Sequence, residues 1–301
     1  MEHGQKIKKK YCTFLNKTTL NQCSKNYFQE FLIVIIITSM FVGCAGQKIK
    51  NDLANEIARA SNLQPIFLST STFKLKAYFR FANSDAPLTV YIEGDGQAYL
   101  HRNRPSSNPT PKNPLGLRLA AIDHGENVLY LARPCQYVNL KSDSLCKTSY
   151  WTHKRFSKEV VIGVSEAIDK MILKAGVNRI HLVGYSGGGA VAVLVASLRK
   201  DVISLRTLAG YIDHASLNSE VGVSSLKGSL DPIKAAPYLK WLPQMHYSGK
   251  EDKVIPTWVA KNFIRTVDNN NCAFIRLANA THAKGWIKLW KNVWKKIPTC
   301  L

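Results

Sequence analysis

Apolar and polar positions follow two periods along this chain, one typical of strands and one typical of helices. Residues 73–81 alternate between apolar and mostly basic side chains, which predicts an outer strand. Short apolar runs predict buried strands at 87–92, 127–132, 180–183, 205–210, 245–248 and 273–277. Apolar spacing and composition predict helices at 115–122, 154–175, 189–198, 258–266 and 284–297. Because strands alternate with helices, we expect an α/β fold with a mostly parallel central sheet and helices on both faces.

Residues 71–301 are predicted to form a single domain, since no internal repeat or second domain interrupts the alternation. Within it, residues 211–243 carry few strand signals and are predicted to form a short cap over the functional site. The chain has 301 residues, of which 46% are hydrophobic, so it can bury one substantial core. Its net charge of +21 is spread out, without a basic–aromatic repeat. We therefore expect no nucleic-acid partner, and attraction to anionic membrane surfaces or wall polymers instead.

The first 70 residues have a different pattern. Residues 1–30 are polar and basic, and an apolar run of twelve residues, 31–42, ends in Gly43-Cys44. Twelve residues are too few to span a membrane but suit the core of a signal peptide, which we predict over 1–43. An uncleaved anchor or a buried core segment is the alternative. Residues 44–70 are predicted to be a tether with a short helix at 52–60.

The junction at Cys44 resembles the lipobox of bacterial lipoproteins, in which a small residue precedes a cysteine that becomes lipidated. Phe41 stands where leucine is usual, and the basic region is unusually long. The resemblance implies an exported protein anchored to a membrane through Cys44, on the periplasmic or cell-surface side.

Cysteine usage agrees with export. Beyond Cys44 the chain has four cysteines, and an even number in an exported domain suggests two disulfides. The simplest pairing joins Cys135 to Cys146 and Cys272 to Cys300, although four cysteines allow three pairings. No Cys-x-x-Cys or His-x-x-x-His spacing supports a metal site, and we expect neither a metal nor an organic cofactor.

The chemistry-bearing stretch is Gly184-Tyr-Ser-Gly-Gly, which joins the predicted strand at 180–183 to the helix at 189–198. Gly-x-Ser-x-Gly at a sharp strand-to-helix turn is typical of a nucleophile elbow, which would expose the hydroxyl of Ser186. A glycine-rich turn here could instead hold a phosphate. The Lys-Ser/Thr pair that completes a phosphate-binding loop is missing, however.

A serine nucleophile needs a histidine base and an acid that orients it. Of the three histidines after Ser186, His282 follows the last predicted strand and is the expected base; His214 and His246 are the others. The expected acid is Asp252, which follows the strand at 245–248. Its neighbour Glu251 and the earlier Asp213 are the alternatives, and an ordinary turn or capping role is open for each.

Two backbone N–H groups are needed to bind the oxyanion that forms during attack. One is predicted to be that of Gly187, and the other that of Gly94 or Asp95 in the stretch Glu93-Gly94-Asp95-Gly96. The carboxylates of Glu93 and Asp95 could make structural hydrogen bonds or select a cationic substrate group. An ordinary tight turn is the alternative reading of this stretch.

Together these stretches resemble the α/β-hydrolase superfamily, with Ser186, Asp252 and His282 in the expected order. Tyr91-Ile-Glu-Gly-Asp-Gly, Leu131-Ala-Arg-Pro-Cys-Gln-Tyr and His282-x-x-Gly-Trp look more narrowly like exported bacterial hydrolases of poorly defined substrate. The resemblance implies hydrolysis of an ester, thioester or amide in a small-molecule or acyl substrate through an acyl-enzyme. A carboxylesterase is favoured over a lipase, and a peptidase comes third. A non-catalytic surface-binding lipoprotein on the same scaffold is the alternative.

Overall fold

The computed structural model describes residues 46–101, 103–140, 143–269 and 271–301. The predicted signal peptide at 1–43 and the lipidation candidate Cys44 lie outside the described residues. Residues 50–301 form one compact unit. No helix in the described part of the chain is long and apolar enough to cross a membrane.

The described residues form ten strands and seven α-helices. The strands are β1 (Gln64–Ser69), β2 (Lys74–Arg80), β3 (Leu88–Ile92), β4 (Tyr99–His101), β5 (Arg104–Pro105), β6 (Val128–Leu131), β7 (Ile180–Tyr185), β8 (Val202–Leu208), β9 (Gln244–Gly249) and β10 (Ala273–Ala278). The helices are α1 (46–60), α2 (Leu115–Ile122), α3 (Lys158–Ala175), α4 (Gly187–Ala196), α5 (His214–Glu220), α6 (Thr257–Val267) and α7 (Trp286–Val293). Short 3₁₀ helices cover Thr148–Trp151 and Pro232–Leu239.

The main sheet has eight strands in the order β1-β2-β6-β3-β7-β8-β9-β10. β2 pairs antiparallel with β1 and with β6, and all other neighbours in this sheet are parallel. The prediction of a mostly parallel sheet is therefore confirmed. Because parallel strands end at the same edge, the loops after β3, β7, β9 and β10 meet there.

Helices cover both faces of the sheet, as the sequence predicts. One face packs against α3, α4 and α6, and the other against α1, α2 and α7. Helix α4 is buried along its whole length, which explains why its sequence is apolar on every side. In α7, Trp286 and Trp290 are buried completely and anchor the helix on the core.

Two features differ from the expectations. The predicted tether at 44–70 contains all of α1 and β1. Their residues from 50 onwards belong to the folded unit, because β1 pairs with β2 and Ala54 and Ala58 are buried. Part of the predicted cap at 211–243 also belongs to the core. Ala235, Ala236 and Leu239 of the second 3₁₀ helix are buried in the cluster that contains α4 and α6.

Both disulfides have the simplest pairing. Cys135 is bonded to Cys146 with Cα atoms 5.4 Å apart, and Cys272 to Cys300 with Cα atoms 4.2 Å apart. The first closes the loop that follows β6. The second ties the carboxyl terminus to the start of β10.

Candidate active site

The turn between β7 and α4 holds Ser186 in a strained conformation. Its φ is 51° and its ψ is −120°, and α4 begins at the next residue. Glycines make the turn feasible, because a Cβ on Gly184 would lie 2.4 Å from the carbonyl oxygen of Gly188. A Cβ on Gly188 would lie 2.2 Å from the last carbonyl oxygen of β3. Backbone strain held in this way by close packing is a mark of functional sites.

The structure brings Ser186, His282 and Asp252 into one chain of hydrogen bonds. The Oγ of Ser186 lies 3.1 Å from Nε2 of His282, and Nδ1 of His282 lies 3.0 Å from Oδ2 of Asp252. These residues follow β7, β10 and β9, three parallel strands whose carboxyl ends lie at the same edge of the sheet. The predicted nucleophile, base and acid therefore meet, with the geometry of a Ser–His–Asp triad.

Both carboxylate oxygens of Asp252 are hydrogen-bonded. Oδ2 faces His282, while Oδ1 accepts the backbone N–H groups of Val254 at 2.8 Å and Ile255 at 2.9 Å. Burial alone would raise the pKa of Asp252. The hydrogen bonds from His282 and Ile255 and the interaction with the imidazolium charge outweigh it, and the pKa lies below its ordinary value. The lowered pKa favours the ionised carboxylate, which is hydrogen-bonded to Nδ1 of His282.

His282 is also held at its backbone. Its carbonyl oxygen accepts hydrogen bonds from the hydroxyl of Tyr185 at 2.9 Å and from Nε1 of Trp286 at 2.8 Å. The rings of Tyr185 and His282 lie 5.6 Å apart. The sequence does not reveal the contacts of Tyr185 with His282, because Tyr185 occupies the variable position of the serine motif.

The alternative histidines and acids serve other roles. His246 is fully buried against Thr207, and burial lowers its pKa to about 3. His214 is also buried, with Nε2 2.9 Å from the carbonyl oxygen of Leu230. Asp213 accepts the N–H of Ser216 at the start of α5. Glu251 is exposed.

The loop after β3 is organised by Glu93. Its buried carboxylate accepts the N–H groups of Gly94, Gly116 and Leu117 and the hydroxyl of Tyr130. Burial nevertheless raises the pKa of Glu93 above its ordinary value. The N–H of Gly94, one of the two alternatives for the second oxyanion donor, donates to Glu93 at 3.0 Å in this structure. The remaining candidates are the N–H groups of Gly187 and Asp95.

Asp95 makes ion pairs rather than facing outward. Oδ1 lies 3.1 Å from Nη1 of Arg133, and Oδ2 lies 2.8 Å from Nη1 of Arg155. Burial alone would raise the pKa of Asp95, but the charges of Arg155 and Arg133 bring it below its ordinary value. Its carboxylate also packs on Gly187, where a Cβ would lie 2.0 Å from Oδ1. Neither ion pair is visible in the sequence, although Arg133 lies in one of the stretches that carry the resemblance.

An open groove of about 630 Å³ lies next to His282. It is lined by Lys250, Glu251, Lys253, Val254, Thr281, His282 and Ala283. Within the described ranges, no cluster of three or more histidine, cysteine, aspartate or glutamate side chains could hold a metal ion.

No protein-family model matches the chain, and no curated protein matches its sequence. Solved structures do resemble it. Est1E from Butyrivibrio proteoclasticus is 14% identical, with 77% of this chain and 97% of that chain covered, at a TM-score of 0.52. A putative lipase from Acinetobacter baumannii AYE is 15% identical, with coverages of 81% and 94% and a TM-score of 0.53. A bacterial membrane phospholipase A is 14% identical, with coverages of 89% and 94% and a TM-score of 0.51.

Esterases, lipases and acylaminoacyl peptidases are among these similar structures. At such low identity the likeness concerns the fold. The chain has the α/β-hydrolase fold, as its serine motif and strand order lead one to expect.

Proposed function

We propose that this protein is a serine hydrolase that cleaves an ester, thioester or amide bond through an acyl-enzyme. The observation that carries the proposal is the hydrogen-bond chain from Ser186 through His282 to Asp252 at the strained turn. All three residues lie in loops at one edge of the sheet. A protein that only binds a ligand would not need this series of hydrogen bonds.

In the proposed reaction, Oγ of Ser186 bonds to the substrate carbonyl carbon while Nε2 of His282 takes the hydroxyl proton. The N–H groups of Gly187 and Asp95 stabilise the oxyanion. The bond to the leaving alcohol, thiol or amine then breaks, and the imidazolium of His282 returns its proton to that group. Water repeats the attack on the acyl-enzyme, releasing the acid and restoring Ser186.

A carboxylesterase remains the favoured activity. The 630 Å³ groove beside His282 is open, and its size suits a small substrate group next to the residue that protonates the leaving group. The similar structures include esterases, lipases and peptidases, so a panel of activated esters, triglycerides and peptide amides should rank these substrates.

The experiment that tests the proposal is labelling of the purified full chain with a fluorophosphonate probe, which phosphonylates an activated serine. The wild type is expected to be labelled, and Ser186→Ala and His282→Ala are expected to lose the label. Ser197→Ala is the matched control, because Ser197 directly follows α4 and its Oγ donates to the carbonyl oxygen of Leu194 in that helix. A folded wild type without label would favour the non-catalytic surface-binding lipoprotein instead.

We further propose that the protein is exported and lipid-anchored through Cys44. The support is the apolar run at 31–42 and the small residue before the cysteine. Expression in a bacterial host fed a clickable fatty acid should label the wild type and Cys23→Ser but not Cys44→Ser. Label that persists in Cys44→Ser would exclude this anchor.

A further inference from the structure

A buried ionic cluster of one acid and two bases lies beside the proposed nucleophile. Asp95 pairs with both Arg133 and Arg155, and the three side chains are 16%, 4% and 14% exposed. One carboxylate cannot balance two guanidinium groups, so the cluster carries one excess positive charge. An excess charge shielded from water attracts an opposite charge more strongly than one on the open surface.

The other nearby acids already have partners of their own. Glu93 accepts three backbone N–H groups, two of them at the start of α2, and a tyrosine hydroxyl. Asp252 is engaged by His282 and two backbone N–H groups. Neither carboxylate hydrogen-bonds to an arginine of the cluster.

The two arginines are used differently. Arg133 donates Nη1 to Asp95 and Nη2 to the carbonyl oxygen of Arg155. Arg155 donates Nε to the carbonyl oxygen of Thr152 at 2.8 Å and Nη1 to Asp95 at 2.8 Å. Its Nη2 has no hydrogen-bond partner among the residues that the structure describes. Arg155 therefore keeps a charged donor that a ligand can use.

The surroundings of Arg155 belong to the proposed active site. Its guanidinium carbon lies 5.8 Å from the ring of Tyr99 and 6.0 Å from the ring of Tyr211. The N–H of Tyr211 donates to the carbonyl oxygen of Ser186 at 3.0 Å. Arg155 forms an ion pair with Asp95. The carboxylate of Asp95 packs on Gly187, the residue after the proposed nucleophile. Arg155 therefore contacts Asp95 and Tyr211, and each of these residues contacts the serine turn.

We propose that Arg155 binds an acidic group of the substrate, so that the protein prefers anionic esters. A carboxylate or a phosphate fits this position, because a guanidinium donates to either in a charge-assisted hydrogen bond. Asp95 holds the arginine in place from one side and the two tyrosine rings flank it. This inference rests on the proposed hydrolase function and names the substrate class for the same site.

The test compares pairs of esters that share the same scissile bond, one member carrying an anionic group and the other neutral. The first pair is nitrophenyl monoglutarate and its neutral methyl ester, with the charge on the acyl side. The second is 1-butyryl glycerol 3-phosphate and monobutyrin, with the charge on the alcohol side. For the wild type, kcat/KM is expected to favour the charged member of at least one pair by about tenfold, mainly through KM.

Arg155→Gln is expected to remove this preference, and Arg155→Lys to retain part of it. Arg199→Gln is the matched control, because Arg199 pairs with Asp169 and Asp201 through its own separate ion pairs. If Arg155 only supported the fold, its replacement would slow both members of a pair alike and leave their ratio unchanged.

Equal kcat/KM values for both members of both pairs in the wild type would overturn the inference. That comparison needs no variant, so it stands even if Arg155→Gln fails to fold. Hydrolysis of the neutral esters with no charge preference would leave the hydrolase proposal intact. Absence of both hydrolysis and fluorophosphonate labelling would instead sink the hydrolase proposal itself.

Discussion

Replacement of Asp252 by asparagine changes only one atom of the side chain, and the structure dictates where the new amide group must point. Oδ1 of Asp252 accepts two backbone N–H groups, from Val254 at 2.8 Å and Ile255 at 2.9 Å. An amide nitrogen cannot accept a hydrogen bond, so the asparagine oxygen must take this position. The amide nitrogen then faces Nδ1 of His282, where Oδ2 lies at 3.0 Å in the wild type.

This orientation forces the wrong tautomer on the base. With an N–H donor opposite it, Nδ1 of His282 must accept, and the ring proton moves to Nε2. Nε2 would then donate to Oγ of Ser186, 3.1 Å away, and could not take its proton. The same substitution in another serine-hydrolase triad lowers kcat by about 10⁴-fold, and we expect a loss of that order here.

The assay is hydrolysis of a nitrophenyl ester, with kcat and KM measured separately and folding checked by circular dichroism. We expect kcat to fall and KM to change little. Asp213→Asn is the control, because Asp213 caps α5, a role that asparagine fills about equally well, so this variant should keep its activity. A folded Asp252→Asn that keeps its activity within about tenfold of the wild type would refute the reasoning about the triad. An inactive but folded Asp213→Asn would move the acid role to that residue.

Three further predictions concern stability. Gly188→Ala should lower the free energy of unfolding by about 3 kcal/mol, because its Cβ would lie 2.2 Å from a backbone oxygen; urea denaturation measures this. Replacing Cys272 and Cys300 together by alanine should cost about 3 kcal/mol in the same assay, since their disulfide closes a loop of 28 residues. Asp95→Asn should be less stable than the wild type at pH 7. In the folded protein the pKa of Asp95 is lowered from 3.8, so the stability that this carboxylate contributes is lost as the pH falls through the lowered value. The difference in free energy of unfolding between wild type and Asp95→Asn should therefore narrow in acid.

Each of these three stability predictions has its own control or contradicting outcome. Gly46→Ala introduces a Cβ that meets nothing within 4 Å and should be nearly neutral. Adding a reductant should destabilise the wild type more than the variant that lacks Cys272 and Cys300. If the difference in free energy of unfolding between Asp95→Asn and wild type widens in acid, the ion pairing of Asp95 is contradicted.

The sequence by itself determined the features that depend on local periodicity. Alternation and apolar runs located β2, β3 and β6 through β10, since a strand or helix records its buried face at short, regular intervals. The serine turn was visible for the same reason: all its glycines lie within five residues. His282 and Asp252 followed from chain order, because each comes directly after a strand of a parallel sheet whose carboxyl ends meet.

Only the tertiary structure decided which distant side chains touch. β1 was not predicted because it is an edge strand with mostly exposed residues, and only Ile66 and Leu68 contact the core. Arg133 and Arg155 lie 38 and 60 residues from Asp95 in the sequence. No local pattern couples positions so far apart, and their meeting depends on β6 and β3 being neighbours in the sheet. The hydrogen bonds of Glu93 are equally non-local, since its carboxylate accepts N–H groups at the start of α2, 23 and 24 residues away, as well as that of Gly94.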